Sequence, residues 1–288
     1  MRDLNYQLKQ LCQQCREGAY NTQANREHIL TLVANELHAL GYRGMTARSL
    51  KPKHIEALIK DWFAKGIAIG TIKNRMAAIR WWARKANKQN VVARSNEHYG
   101  IPDRRFVTNE SKAKSVTQSQ LEKVRDEHVR MSLELQQAFG LRREEAMKFR
   151  PSFADRGDHL VLKASWTKGG RERTIPVRTE EQRNVLNQAR RLAGLGSLIP
   201  SNRNYRQQMR VYEGNTCRAG LSKMHGLRHA YAQNRYKELT GWKAPAAGGP
   251  VTKDLTSEQR EIDREVRLQI SRELGHYREA VVSAYLGK

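Results

Sequence analysis

The sequence predicts a mainly α-helical protein in two domains, the second carrying one small antiparallel β-sheet. Three observations lead there. Apolar residues recur at helical spacing through most of the chain. One stretch, "DHLVLKASWTKGGRERTIPV", turns instead to two short β-rich runs flanking Lys168-Gly169-Gly170-Arg171, a hairpin signal. Between the helical regions lies a polar segment with Gly100 and Pro102 that reads as a linker over residues 98–115. A chain of 288 residues is long enough for two separate cores.

In chain order, residues 1–20 form a helical extension whose role the sequence leaves open. Residues 21–97 form a helical domain. Its first helix sets Ile29, Val33, Leu37 and Leu40 on one face. The second repeats Ile55, Leu58, Ile59, Trp62 and Phe63 at amphipathic spacing. The third, "GTIKNRMAAIRWWARKAN", buries Ile72, Met76, Ile79 and Ala83. Its other side carries Lys73, Arg80 and Arg84 as a basic stripe, either a DNA phosphate contact or a solvated face. Residues 116–288 form the second domain. Thr117 is placed to cap a helix, Gly140 to interrupt one, and the hairpin and further helices follow. There is no internal repeat.

Composition narrows the function. Lysine and arginine number 53 against 29 acidic residues, a formal charge of +24 that favours a polyanionic partner, usually nucleic acid. No apolar run approaches membrane-spanning length, and "MRDLNYQLKQLCQQC" lacks the apolar stretch of a signal peptide, so no membrane role is expected. Three cysteines suit a reducing, cytoplasmic setting. Cys12 and Cys15 form a C-x-x-C without a second pair at zinc spacing, and "HGLRH" lacks the glutamate of a zincin, so no metal is expected. The glycine pairs fit neither a P-loop nor a dinucleotide fingerprint, so no nucleotide cofactor is expected either.

What remains is a set of cationic and proton-shuttling residues: Arg142 with Glu145 three positions on, Lys168, His225 and Arg228 one helical turn apart, His276, and Tyr285. Such a set suits attack of a phenol on a phosphodiester. A phenol is a poor nucleophile at neutral pH unless its proton is taken. Forked guanidinium groups match the charge that builds on the non-bridging oxygens, and a lysine can protonate the departing alcohol. Tyr285 and His276 would fall on opposite faces of a continuous helix. Gly275 supplies the break they need, with a short helix around Ala280–Tyr285 beyond it. Taken singly, each residue has a plainer reading. Arg142 could pair with a neighbouring glutamate, Lys168 could be a solvated turn residue with Lys163 and Arg171 as rivals, and Tyr285 could be a packing aromatic. Tyr231 and Tyr277 are rival phenols. Of the two histidines in "HGLRH", His229 is assigned the ordinary, half-buried part.

The ordered set resembles the tyrosine recombinases, the family of phage integrases, mobile-element integrases and chromosome-dimer resolvases. "GLRREEAM" resembles the family's G-x-R-x-x-E, "TKGGRERTIPV" its K-x-G-x-x-R-x-[IV]-P hairpin, "HGLRHAYA" its H-x-L-R-H box, and "LGHYREAVVSAY" its L-G-H followed by tyrosine nine residues after the histidine. The matches span residues 139–285, and the basic helical region before them is similar to the family's core-binding domain. The resemblance implies a helical core-binding domain over 21–97 and a mixed α/β catalytic domain over 116–288. It implies a site-specific recombinase in which Tyr285 forms a 3′-phosphotyrosyl link, Arg142 and Arg228 hold the phosphate with His225 and His276, Lys168 acts as general acid and Glu145 orients the site. No cofactor or ATP is implied. The partners implied are specific duplex DNA sites and three further copies of the chain, a tetramer working on two duplexes through a Holliday junction. Accessory DNA-bending or directionality proteins are candidate partners, and a bacterial nucleoid or a phage or mobile element is the setting. Two alternatives stay open: a non-catalytic DNA-binding accessory protein on the same scaffold, and a type IB topoisomerase-like relaxing enzyme.

Two departures from the family pattern stand out. The stretch between "HGLRH" and "LGH" is about twice the usual spacing, which marks an insertion around residues 240–265. It is read either as a contact to DNA or a neighbouring subunit, or as a passive loop. Only three residues follow Tyr285, so the usual exchange of C-terminal segments between protomers is in doubt.

Overall fold

The computed structural model describes residues 3–276 and 278–288, which divide into two units, Met1–Arg105 and Phe106–Lys288. The first is built from helices α1 (Asp3–Gln14), α2 (Tyr20–Ala39), α3 (Pro52–Ala64) and α4 (Ile69–Lys85), with 3-10 turns at Gln89–Val91 and Glu97–Tyr99. Its core joins Leu30, Val33 and Leu37 of α2 to Ile55, Leu58 and Trp62 of α3 and to Ile72, Met76, Ile79 and Trp82 of α4. Leu4, Leu8 and Cys12 of α1 complete that core, so the N-terminal helix is part of the unit. Burial drives the Cys12 thiol up to about 11, which leaves it a small core residue rather than a reactive one.

Two side chains depart from the expected helix faces. Leu40 ends 37% exposed because it caps α2 beyond its last residue, while Val33 and Leu37 of the expected face are buried with Leu30 and Ala34 beside them. Phe63 is 41% exposed, at the edge of the α3 stripe. The indoles of this unit are tied by polar partners. Trp62 Nε1 donates to Glu36 Oε2 at 2.8 Å, and Trp82 Nε1 donates to the Ala47 carbonyl at 2.8 Å. A buried tryptophan brings apolar area at the cost of one N–H that must be satisfied, and here it is.

The second unit contains α5 (Gln118–Glu122), α6 (Glu127–Phe139), α7 (Arg143–Met147), α8 (Pro151–Ala154), strands β1 (His159–Leu162) and β2 (Arg173–Pro176), then α9 (Glu180–Ala193), α10 (Tyr205–Arg218), α11 (Gly226–Thr240), α12 (Ser257–Glu273) and α13 (Glu279–Leu286). The strands pair antiparallel with Leu160 opposite Ile175, and both of those residues face the core. Caps set the helix starts. The Thr117 hydroxyl accepts from Gln120 N in a reciprocal box, Asp126 caps α6, and Thr256 with Gln259 caps α12. The cap at Asp126 divides a stretch whose periodicity runs on through it.

One core gathers Phe139, Phe149, Leu162, Tyr236, Ile270, Val282 and Leu286, and a second gathers Val129, Leu133, Met147 and Leu227. Helices α6 and α11 contribute to both and so form the spine of the unit. The segment read as an insertion is no passive loop at its beginning. Ala244 and Ala246 are buried, Trp242 packs on the core, and α12 sends Val266 and Ile270 inward. Among the described residues no helix is long and apolar enough to cross a membrane.

Candidate active site

The site begins at a glycine. Gly140 ends α6 with φ +61°, and a Cβ there would meet the Tyr231 ring at 2.6 Å. Glycine therefore meets both the backbone and the packing demand at this turn. The chain then re-enters a helix at once, with Arg142 as the N-terminal cap of α7. Its backbone N–H donates to Glu145 Oε2 at 2.7 Å, and its Nη1 donates to Glu145 Oε1 at 2.7 Å.

Glu145 is fully buried and gathers three arginines. Arg173 of β2 grips it in a fork, Nη1 to Oε1 at 2.9 Å and Nη2 to Oε2 at 2.8 Å, and Arg228 Nη1 lies 4.0 Å from Oε2. Burial alone would raise this carboxyl. The bonds and charge of Arg173, with Arg228 and Arg142, instead hold it at about 2. It is a fixed anion that keeps like-charged guanidinium groups together.

Arg228 projects from the first turn of α11 and is 1% exposed. Nη1 donates to the Gly140 carbonyl at 2.6 Å and Nη2 donates to the Leu274 carbonyl, so the guanidinium is aimed by the ends of α6 and α12. Its Nε lies 3.3 Å from the Tyr285 hydroxyl. Burial, then the neighbouring Arg142 and Arg173, lowers its pKa to about 10.

Tyr285 arrives by the break expected at Gly275. Helix α12 ends at Glu273 with Leu274 as its cap, and Gly275 takes φ +70°. The His276 N–H returns to the Ser271 carbonyl at 2.7 Å and the Gly275 N–H to the Arg272 carbonyl at 2.8 Å, a Schellman closure. The eight-residue α13 then carries Tyr285 back to Arg228. His276 Nε2 stands 3.3 Å from Arg142 Nη2, and its ring centroid is 6.2 Å from that of Tyr285. The rings of His225 and His229 stand 5.9 and 4.7 Å from the same phenol. Burial first, then the surrounding cations, lowers all three imidazoles: His276 and His229 to about 4, His225 in the same direction. All three are therefore neutral at pH 7 and able to accept a proton or a hydrogen bond.

Arg142, Glu145, His225, Arg228, His276 and Tyr285 thus converge. Lys168 does not join them; it sits exposed in the long connection between β1 and β2. Tyr231 is committed elsewhere, its buried hydroxyl donating to Glu273 Oε2 at 2.9 Å with its pKa raised. Tyr277 lies outside the described residues.

Two residues carry more than the sequence reading gave them. Arg173 is the arginine of the K-x-G-x-x-R pattern, and that pattern was the signal for it. His229, assigned an ordinary role, has the closest of the three imidazole rings to the Tyr285 ring. In the first unit the basic stripe is largely engaged. Lys73 pairs with Asp103 at 2.8 Å, and Arg80 donates to the carbonyls of Ala93 and Ser95 at 2.9 and 3.0 Å. Arg84 is exposed.

A family model for the N-terminal region of phage integrases matches residues 1–92, and an integrase model matches residues 103–234. The chain belongs to the phage-integrase family of tyrosine recombinases. No individual curated protein matches it in sequence. Among solved structures, a lambda integrase dimer bound to a COC′ core site superposes with a TM-score of 0.63 at 15% identity, over 98% of this chain and 76% of that one. XerH recombinase bound to a palindromic difH substrate gives 0.59 at 15%, over 99% and 81%. The Tn1549 transposon integrase with circular intermediate DNA gives 0.57 at 14%, over 98% and 95%. At these identities the likeness is one of fold. The integrase match ends at residue 234, so for this family member His276 and Tyr285 rest on their motif and on the geometry above.

Proposed function

We propose that this integrase cuts and rejoins duplex DNA at specific sites through a covalent link to Tyr285. The observation that carries the reading is the Tyr285 hydroxyl 3.3 Å from Arg228 Nε, inside a buried cluster that also joins Arg142 through Glu145 and His276. The phenolic oxygen attacks the scissile phosphorus and gives its proton to a neutral imidazole, His276 or His225. The bond from phosphorus to the 5′-oxygen breaks, and that oxygen leaves as a hydroxyl once protonated by Lys168. The lysine is brought in with the DNA by the exposed hairpin connection. Arg142 and Arg228 neutralise the non-bridging oxygens in a site poor in water, where fixed charges act most strongly. Phosphoryl bond energy is kept in the protein–DNA link, so rejoining needs no ATP.

The formal charge of +24 supports a polyanionic substrate. A lambda integrase tetramer solved on a Holliday junction, similar to this chain with a TM-score of 0.62, supports strand exchange between two duplexes by four copies. The match to the phage-integrase N-terminal model supports a phage or mobile-element setting.

On a nicked duplex carrying the target site, the unsubstituted protein is expected to accumulate a covalent adduct. Tyr285→Phe is expected to lose the adduct while retarding the same DNA, because one oxygen is removed and nothing else. Binding without any adduct in the unsubstituted protein would favour the accessory-protein reading. Supercoil relaxation on DNA of any sequence would favour the topoisomerase-like one.

A further inference from the structure

We propose that a latch around Gly287, closed by Asn109, Arg267 and the Pro245–Ala246 turn, positions the Tyr285 helix for attack; the proposal rests on the reading of Tyr285 as nucleophile. Helix α13 is eight residues long, too short to hold its own direction by helix propensity. Val282 and Leu286 seat one face of it in the core, and contacts beyond its end fix the backbone that carries the phenol.

Gly287 follows α13 with φ +79° and ψ −172°, a conformation open essentially to glycine alone. It is buried, and a Cβ there would meet Asn109 Oδ1 at 2.5 Å, Ala246 N at 2.8 Å and Pro245 Cβ at 3.1 Å. Its carbonyl accepts from Arg267 Nη1 at 2.9 Å. Arg267 is itself fixed, 2% exposed, with Nε donating to Asp263 Oδ1 at 2.7 Å. The same carboxylate accepts the hydroxyl of Tyr236 on α11.

Asn109 closes the other side as a strand partner would. Its Oδ1 accepts from Lys288 N at 2.9 Å and its Nδ2 donates to Lys288 O at 3.0 Å. Two residues on, Ser111 Oγ donates to Gln233 Oε1 at 2.9 Å, and Gln233 Nε2 donates to the Tyr285 carbonyl at 3.0 Å. The backbone at and after Tyr285 is therefore held from four directions: the strap at residues 109–111, the turn that opens the insertion, α12, and α11 through Gln233. The hydrogen bonds of these groups run to backbone and to one another rather than to the phenol or its arginines, so they act as positioning residues. The insertion has a use in this arrangement, since Pro245 and Ala246 form the wall that Gly287 fits.

The test measures single-turnover adduct formation by the full chain at saturating nicked DNA, beside affinity by gel retardation and the thermal midpoint. Asn109 is exposed, so Asn109→Ala leaves folding intact; Gly287→Ala is the second variant. Both are expected to form adduct at least tenfold more slowly with affinity unchanged. The defect should persist on a substrate whose 5′-bridging oxygen is sulfur, because the nucleophile is misplaced and the leaving group is not at fault. Amide exchange across Glu279–Leu286 should quicken in both. An unchanged rate in Asn109→Ala, or a loss that merely tracks lower affinity or midpoint, overturns the latch while leaving the nucleophile in place. Absence of adduct in the unsubstituted protein overturns both.

Discussion

Glu145, Arg228 and the three imidazoles show how single side chains set the chemistry of this site. One buried carboxylate offsets arginines that would otherwise repel one another, and breaking such a pair by removing the anion typically costs about 3–5 kcal/mol. The histidines experience the other side of the same balance. Burial and nearby cations lower His276 from its ordinary 6.5 to about 4, and His229 likewise. Between those values the unfolded chain binds protons that the folded chain refuses. Stability therefore falls as pH drops from 6.5 towards 4 and is fully present above 6.5. The urea midpoint should decline across that window, and His276→Asn, which carries no titrating proton, should flatten the decline. An equally steep slope in His276→Asn would remove His276 from the set of buried neutral imidazoles. A phosphate bound between the arginines would favour the imidazolium again, so DNA binding itself should take up protons.

At the scale of elements, the turn between α12 and α13 decides whether His276 and Tyr285 share a pocket. Gly275 has φ +70°, and a Cβ there would meet Arg173 Cδ at 2.9 Å. Arg173 is pinned by its fork on Glu145 and by its Nε bond to the Glu273 carbonyl at 3.0 Å, so it cannot yield. Gly275→Ala should lower the free energy of unfolding by about 1–3 kcal/mol, the usual range for a strained left-handed residue. Denaturant titration checks this, and a neutral result would mean the closure is not needed. This element was readable in advance because a glycine after an amphipathic run is a specific stop signal, and the short helix beyond it follows. The faces of α3 and α4 are readable from periodicity alone: Ile55, Leu58, Trp62, Ile72, Met76 and Ile79 repeat at helical spacing and are all buried. What could not be read is pairwise and long-range. The carbonyls of Gly140 and Leu274 leave no trace in side-chain pattern, yet they aim Arg228. His229 looks like any histidine on α11 until α13 folds over it.

Over the whole molecule, each unit has its own core and its own relation to charge. Unit Met1–Arg105 packs four helices around tryptophans and spends Lys73 and Arg80 on internal partners, which leaves Arg84 as the exposed cation of that stripe. Unit Phe106–Lys288 brings residues spread from Arg142 to Tyr285 around one point, with α6 and α11 as the spine. The strap at 109–111, the Pro245–Ala246 turn and α12 all contact the end of the last helix within that same unit, where Tyr285 lies beside Arg228. The most direct measurement of this assembly is to trap the integrase on a nicked target duplex, digest the complex and identify the peptide bound to DNA. A link at Tyr285, with the phosphoryl group on the 3′ end of the cut strand, is the result expected. A link at Tyr231, at Tyr277 or at any serine would contradict it.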